Sequence, residues 1–437
     1  MSDAAAIYTA LIAGAAVLLV ILLLSWLKKS TGKATEEKER EQNIEQESEE
    51  EKEKPQEGQE RIKNKPLKKW KQTSGKKWTL PSHPWLAADF KGHTEAVVSL
   101  DFDSSGKYLA SSSEDRTIRL WSMKDLNDKE HKYIRRSVEL DHASHIKFSP
   151  DSTAVIGYLS NENKLQIYRI SKPSQTGVNF TDIIEFPVLG VMDVISIGIA
   201  STGKFVMIGT TTAFQIWTTK GEVLATVETH QTPNTCAVVS HCGSFVACAG
   251  FTPDVKIWEV EFAKGGEFLK VSSAMQLKGH QASVLSVSFS SDSQRMASVS
   301  KDVRYKQRED PKQLRTASLP EQGPSIVAIS PDGRVTVVAV NCSIYIYSSI
   351  SGQIIQSLTE VHGGGITSLA WESASMYFAS SGGLDRYIRI WNNVAGQKIL
   401  VDELKDKLPK ATSEALKRRM QQQIEETENR LKTFQQT

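Results

Sequence analysis

Residues 91–121 read KGHTEAVVSLDFDSSGKYLASSSEDRTIRLW, and this stretch decides the fold. Apolar and polar residues alternate in VVSLDF, KYLASSS and TIRLW, the period of a β-strand. The segments between them, S-S-G and E-D-R, are turn sequences. Gly92-His93 precedes the first strand, Asp115 sits in a tight turn, and Trp121 closes the third strand.

Working outward, the same pattern returns at intervals of roughly 38–50 residues from about residue 79 to residue 400, the spacing of propeller blades. Seven units are legible. The second runs from His142 to Tyr168 and the third from Gly190 to Trp217. The fourth runs from Pro233 to Trp258, and the fifth contains His280 and Asp302. The sixth runs from Gly323 to Tyr347, and the seventh holds His362, Asp385 and Trp391. These units resemble the WD-repeat family. In that family a Gly-His histidine, a strand Ser or Thr, a turn Asp and a Trp form a hydrogen-bonded set. The resemblance implies His93, Ser111 or Ser113, Asp115 and Trp121 here. The chemistry is sound, because a buried imidazole needs partners on both nitrogens and an indole N–H needs an acceptor. His93 and Asp115 could also be read as a catalytic pair, but the repeat context favours a structural role.

The fold class expected is all-β: a seven-bladed WD-repeat propeller over 79–400, with an N-terminal transmembrane helix and a C-terminal helix. The last unit stops after three strands, and Trp85 to Phe90 looks like a strand. In the family such a strand completes the last blade and closes the ring. Blade five departs from the pattern. No apolar strand follows Asp302 in SKDVRYKQREDPKQ, so its third strand is expected to be missing around 303–315.

Residues 7–27 (IYTALIAGAAVLLVILLLSWL) are uncharged and long enough to cross a bilayer as a helix. Lys28, Lys29 and Lys33 follow them, while Asp3 precedes, so the positive-inside rule leaves residues 1–6 luminal and the body cytosolic. Residues 28–78 are a charged linker too poor in aliphatic side chains to bury a core. It is acidic over 30–60 and basic over 61–78, where Lys65, Lys68, Lys69, Trp70 and Lys71 are candidate RNA contacts. Over 401–437, Met420, Ile424, Thr427, Leu431 and Phe434 recur on one face of a charged helix, expected to lie on the propeller or a partner.

Nothing points to chemistry. Net charge is +2 over 437 residues, which excludes a globally basic nucleic-acid binder. Cys236, Cys242, Cys248 and Cys342 lack metal spacing and are too sparse for a disulfide framework. His362-Gly363-Gly364-Gly365 mimics an oxyanion loop but has no G-x-S-x-G partner. No catalytic, cofactor or metal residue is therefore expected. The whole layout resembles a membrane-anchored branch of the WD-repeat family. That resemblance implies a non-enzymatic scaffold on the cytosolic face of the endoplasmic reticulum, touching the stress-sensing kinase of that membrane through the propeller. It also implies contact with ribosomes or mRNA. The competing reading, a nuclear or chromatin adaptor, is opposed by residues 7–27.

Overall fold

Strands that bury both faces lose the simple alternation of a half-buried sheet, and the second strand of each repeat and the third strand of several do so here. Ala154–Leu159, Phe245–Gly250, Val335–Val340 and Ser343–Ser348 are buried at every position. Both faces are covered because the sheets stand side by side in a ring. The computed structural model describes residues 83–434, apart from 125, 129, 172–177, 188–192, 232, 308–312 and 412. Among them are seven four-stranded antiparallel sheets, the blades of a β-propeller. The anchor (7–27), the linker (28–78) and its candidate RNA contacts lie outside the described residues. Among the described residues no helix is long and apolar enough to cross a membrane.

The core sits between blades and not within them. Seven apolar clusters each join two neighbouring blades. In one, Phe90 stacks on Trp121 with ring centroids 5.0 Å apart. The ring closes as the sequence suggests: Leu86–Phe90 pairs antiparallel with Ile388–Asn392 as the outer strand of blade 7.

Hydroxyls stitch the inner strands. Ser99 accepts from the Ile146 amide, Ser368 from Leu100, Ser286 from Val327 and Ser288 from Ile329. Each turn between first and second strand holds a left-handed residue: Gly106, Ser152, Gly203, Gly243, Ser293, Gly333 or Ser375. Where serine takes this strained position, its hydroxyl accepts an amide from the preceding blade: Ser104, Cys242 or Asp332 respectively. Those inter-blade bonds offset the local backbone cost.

Blade five corrects the sequence reading. Its third strand is present as Asp302–Gln307 and its fourth as Gln313–Ser318. Register shows what changed. Ser111 pairs with Arg119 in blade 1, and Ser298 pairs with Arg304 in blade 5. Asp115 precedes Arg119 by four positions, whereas Asp302 precedes Arg304 by two, so the turn is shortened and the strand survives. Lys306, opposite Met296, takes the register position of Trp121 opposite Leu109.

The C-terminal boundary also moves. Helix α1 (Val394–Lys407) starts directly after the last strand, ahead of the boundary placed at 400. Asn393 caps it, accepting from the Gly396 amide. After a single 3-10 turn, α2 (Glu414–Thr433) follows. The expected seam faces inward: Met420, Ile424 and Thr427 are buried, while Leu431 and Phe434 pack on the cluster of blades 6 and 7. Arg334–Glu403 (3.1 Å) ties α1 to blade 6, and Lys405–Glu428 (2.7 Å) joins the helices.

Since blade five already has its third strand, inserting six strand-forming residues after Asp302 is expected to lower the thermal midpoint. A marked rise would restore the missing-strand reading.

Candidate functional site

The loops entering each blade and the turns between its second and third strands share one rim of the ring. What fixes that rim is a side chain from the entering loop, bonded to the turn. In blade 1, His93 Nδ1 lies 2.8 Å from Asp115 Oδ2, and Nε2 lies 2.8 Å from Ser111 Oγ. Trp121 Nε1 donates to the same hydroxyl at 2.8 Å, which selects Ser111; Ser113 bonds the Glu95 carbonyl instead. A neutral imidazole carrying its proton on Nδ1 satisfies all of these bonds at once. The Asp115 carboxylate also accepts from the Thr94 amide (3.0 Å), closing loop onto turn.

Blade 7 repeats the set. His362 spans Asp385 (2.9 Å) and Ser380 (2.8 Å), Trp391 donates to Ser380 (3.0 Å), and the Gly363 amide donates to Asp385. Blade 5 keeps His280 between Asp302 (2.6 Å) and Ser298 (2.7 Å), with Lys306 in the Trp register.

Elsewhere the position persists with different chemistry. In blade 2 the residue at work is Asp141, not His142: its buried carboxylate accepts from the Asn161 and Glu162 amides. In blade 4, Gln231 donates to the Asp254 carbonyl at 2.7 Å. In blade 6, Glu321 accepts from the Asn341 amide group and from the Tyr345 hydroxyl. The aromatics closing these blades find other partners too. Trp217 donates to Gln215, Tyr168 to Gln166 and Tyr347 to the Ser318 carbonyl, while Trp258 packs edge-on against Phe214.

Electrostatics agree with a structural role. Burial pushes His93 and His362 below the ordinary imidazole value, against the opposing pull of Asp115 and Asp385. Burial would raise Asp115 and Asp385. Hydrogen bonds from the histidines overcome it, helped by Thr117 for Asp115 and Arg389 for Asp385, and hold both carboxyls well below the usual range. The close His–Asp contacts are therefore neutral imidazole donating to carboxylate. His145, on the inner strand of blade 2, is pushed down to about 4 by burial and by Lys147.

The rim also exposes large apolar side chains that the sequence reading passed over: Leu140 (82% exposed), Phe251 (69%) and Leu384 (64%). Each lies in a loop or turn segment, where an apolar residue has no strand to serve; that was the available signal.

These ties make measurable claims. Ser111→Ala removes the hydroxyl serving both His93 and Trp121 and is expected to cost about 1–3 kcal/mol. Lys306→Trp would offer Ser298 the indole donor it lacks and is expected to gain about 1 kcal/mol, read by urea unfolding. Stability should also depend on pH. The folded histidines titrate below the unfolded value, so the unfolded chain takes up protons first as pH falls past about 6.5. The histidine contribution is complete above that value and is lost on acidification. The depressed carboxyls act in the same direction below about pH 4. Unfolding free energy should thus decline from pH 7.5 to 5, and His93→Gln with His362→Gln should flatten the decline. A level wild-type profile would contradict the buried neutral pairs.

The model of the WD domain, G-beta repeat, matches residues 84–122, 271–302 and 352–392, the three units that carry a His–Asp pair. Transducin beta-like protein 2 of Homo sapiens is 43% identical over 367 residues, covering 81% of this chain and 82% of that protein. The Mus musculus protein of the same name is 42% identical over 366 residues, with the same coverage. By contrast, the POC1 centriolar protein homolog A of Danio rerio matches 41 residues, 9% of this chain, at 51% identity. The chain belongs to the transducin beta-like protein 2 family of WD-repeat proteins.

Proposed function

We propose that this protein is a non-enzymatic interaction scaffold, held on the cytosolic face of the endoplasmic reticulum by residues 7–27. On this reading its rim carries partners that include the stress-sensing kinase of that membrane. The observation that supports it best is the exposure of Leu140, Phe251 and Leu384 on one rim. They sit singly on blades 2, 4 and 7, so each marks a separate candidate contact point around the rim and not one patch. The His–Asp pairs, which would otherwise be candidates for chemistry, are consumed in holding loops to turns. The basic stretch 61–78 adds a contact for mRNA or ribosomes, with lysines on phosphates and Trp70 on a base.

Topology is tested at two N-x-S/T glycosylation sequences of the body, Asn179-Phe180-Thr181 and Asn341-Cys342-Ser343. Asn341 donates its amide to Glu321 at 2.6 Å, so exposed Asn179 is the better reporter. Asn179 is expected to stay unglycosylated in cells, and deletion of residues 1–27 is expected to release the protein from membranes under alkaline extraction. A glycosidase-sensitive mass shift at Asn179 would reverse the orientation.

For the partners, aspartate at 140, 251 and 384 together should abolish kinase co-purification while leaving the melting temperature near that of the parent chain. Neutralising Lys65, Lys68, Lys69 and Lys71 should reduce RNA crosslinking and leave kinase capture unchanged. Undiminished kinase capture by the rim variant would move the binding surface elsewhere.

A further inference from the structure

The outer strand of blade 1, Tyr133–Ser137, differs from its counterparts. Its register with Thr117–Ser122 is unbroken, whereas each of the other blades has a shift between its third and outer strands. Bulges of this kind blunt free edges, and blade 1 lacks one. The Lys132 carbonyl accepts from the Ser122 amide and the Val138 amide donates to the Arg116 carbonyl, so both point into the blade. By the two-residue period, Tyr133, Arg135 and Ser137 turn their N–H and C=O groups outward.

The side chains add a charge imbalance. Exposed Arg135 sits directly opposite Arg119, which is only 4% exposed. Like charges facing each other across strands are destabilising. Arg119 Nε and Nη1 have no hydrogen-bond partner among the described residues, and Nη2 is 3.9 Å from Asp115. Its guanidinium lies 4.4 Å from the ring centroid of Tyr133, itself 43% exposed. Blade 7 shows the balanced version. There Arg389 holds the same register and faces Asp89, with Nε 3.3 Å from the carboxylate, while Nη1 reaches Asp385 at 2.7 Å. Blade 1 has an arginine where blade 7 has that aspartate.

We propose that the outer edge of blade 1 takes an acidic polypeptide segment in extended form. It adds as a fifth strand through the outward backbone groups of Tyr133, Arg135 and Ser137, and sets a carboxylate against Arg135. That carboxylate supplies the counter-charge Asp89 gives blade 7, reaching Arg119 once the Tyr133 ring swings aside. This surface lies on the circumference of the ring, apart from the rim assigned above. An extended peptide fits it better than a phosphate chain, because a regular edge offers paired backbone donors and acceptors.

The test uses the full chain in detergent micelles and a fluorescent octapeptide alternating glutamate and valine, followed by anisotropy. The chain is expected to bind the peptide. Arg135→Glu should weaken binding by about tenfold or more, and Arg135→Lys should retain most of it. Ser137→Pro removes an outward N–H that blade 1 itself does not use, and it too should weaken binding. A backbone N-methylated peptide should fail on the unaltered protein, which keeps the test independent of how any variant folds. Absence of binding, equal binding of the N-methylated peptide, or full displacement by single-stranded RNA of matched charge would each overturn the proposal.

Discussion

Where the entering loop meets the turn on the upper rim, the strand ladders end and backbone amides such as those of Thr94 and Gly363 need other partners. Among the described residues a side chain from the entering loop reaches the turn in six blades: His93, Asp141, Gln231, His280, Glu321 and His362. In blades 1 and 7 the arrangement is most complete: a single serine hydroxyl, Ser111 or Ser380, joins an imidazole to an indole, and the imidazole carries the bond on to a carboxylate. That carboxylate in turn holds the first amide after the histidine. The result is a chain of bonds from the third strand to the loop. Leu384 projects from the turn that this chain anchors in blade 7, and Leu140 from the loop whose Asp141 anchors the turn of blade 2.

Much of this was legible in the sequence. Repeat spacing, strand alternation and the Gly-His…Asp…Trp pattern place all three His–Asp pairs, and the order of strands closes the ring on Trp85 to Phe90. What the motif hid is that the position matters more than the residue. Asp141, Gln231 and Glu321 each reach the turn that a histidine would otherwise reach, but none resembles His in a sequence pattern. A carboxylate can accept directly from turn amides, so blade 2 dispenses with the imidazole relay.

Blade five shows the opposite error. VRYKQ does not read as a buried strand, since alternate positions are charged or polar. Yet Val303 and Tyr305 are buried, and they suffice to join the cluster shared with blade 6. A strand in a ring needs only the alternate residues that meet its neighbour, and a shortened turn moved those residues two positions from where the motif placed them. The C-terminal seam was readable because its 4-3-4-3 spacing is long, whereas α1 lacks a comparable stripe and begins flush with the last strand.

The central claim is that loop-to-turn ties, not the loops' own conformations, hold the rim. The most direct measurement is amide hydrogen exchange at Thr94 and Gly363, whose N–H groups end on Asp115 and Asp385. Loop amides ordinarily exchange through small local openings. If the ties hold the rim, these two should exchange as slowly as amides in the buried strands Tyr108–Ser113 and Tyr377–Gly382. Exchange at the rate of an exposed loop, with those strands still protected, would contradict the account.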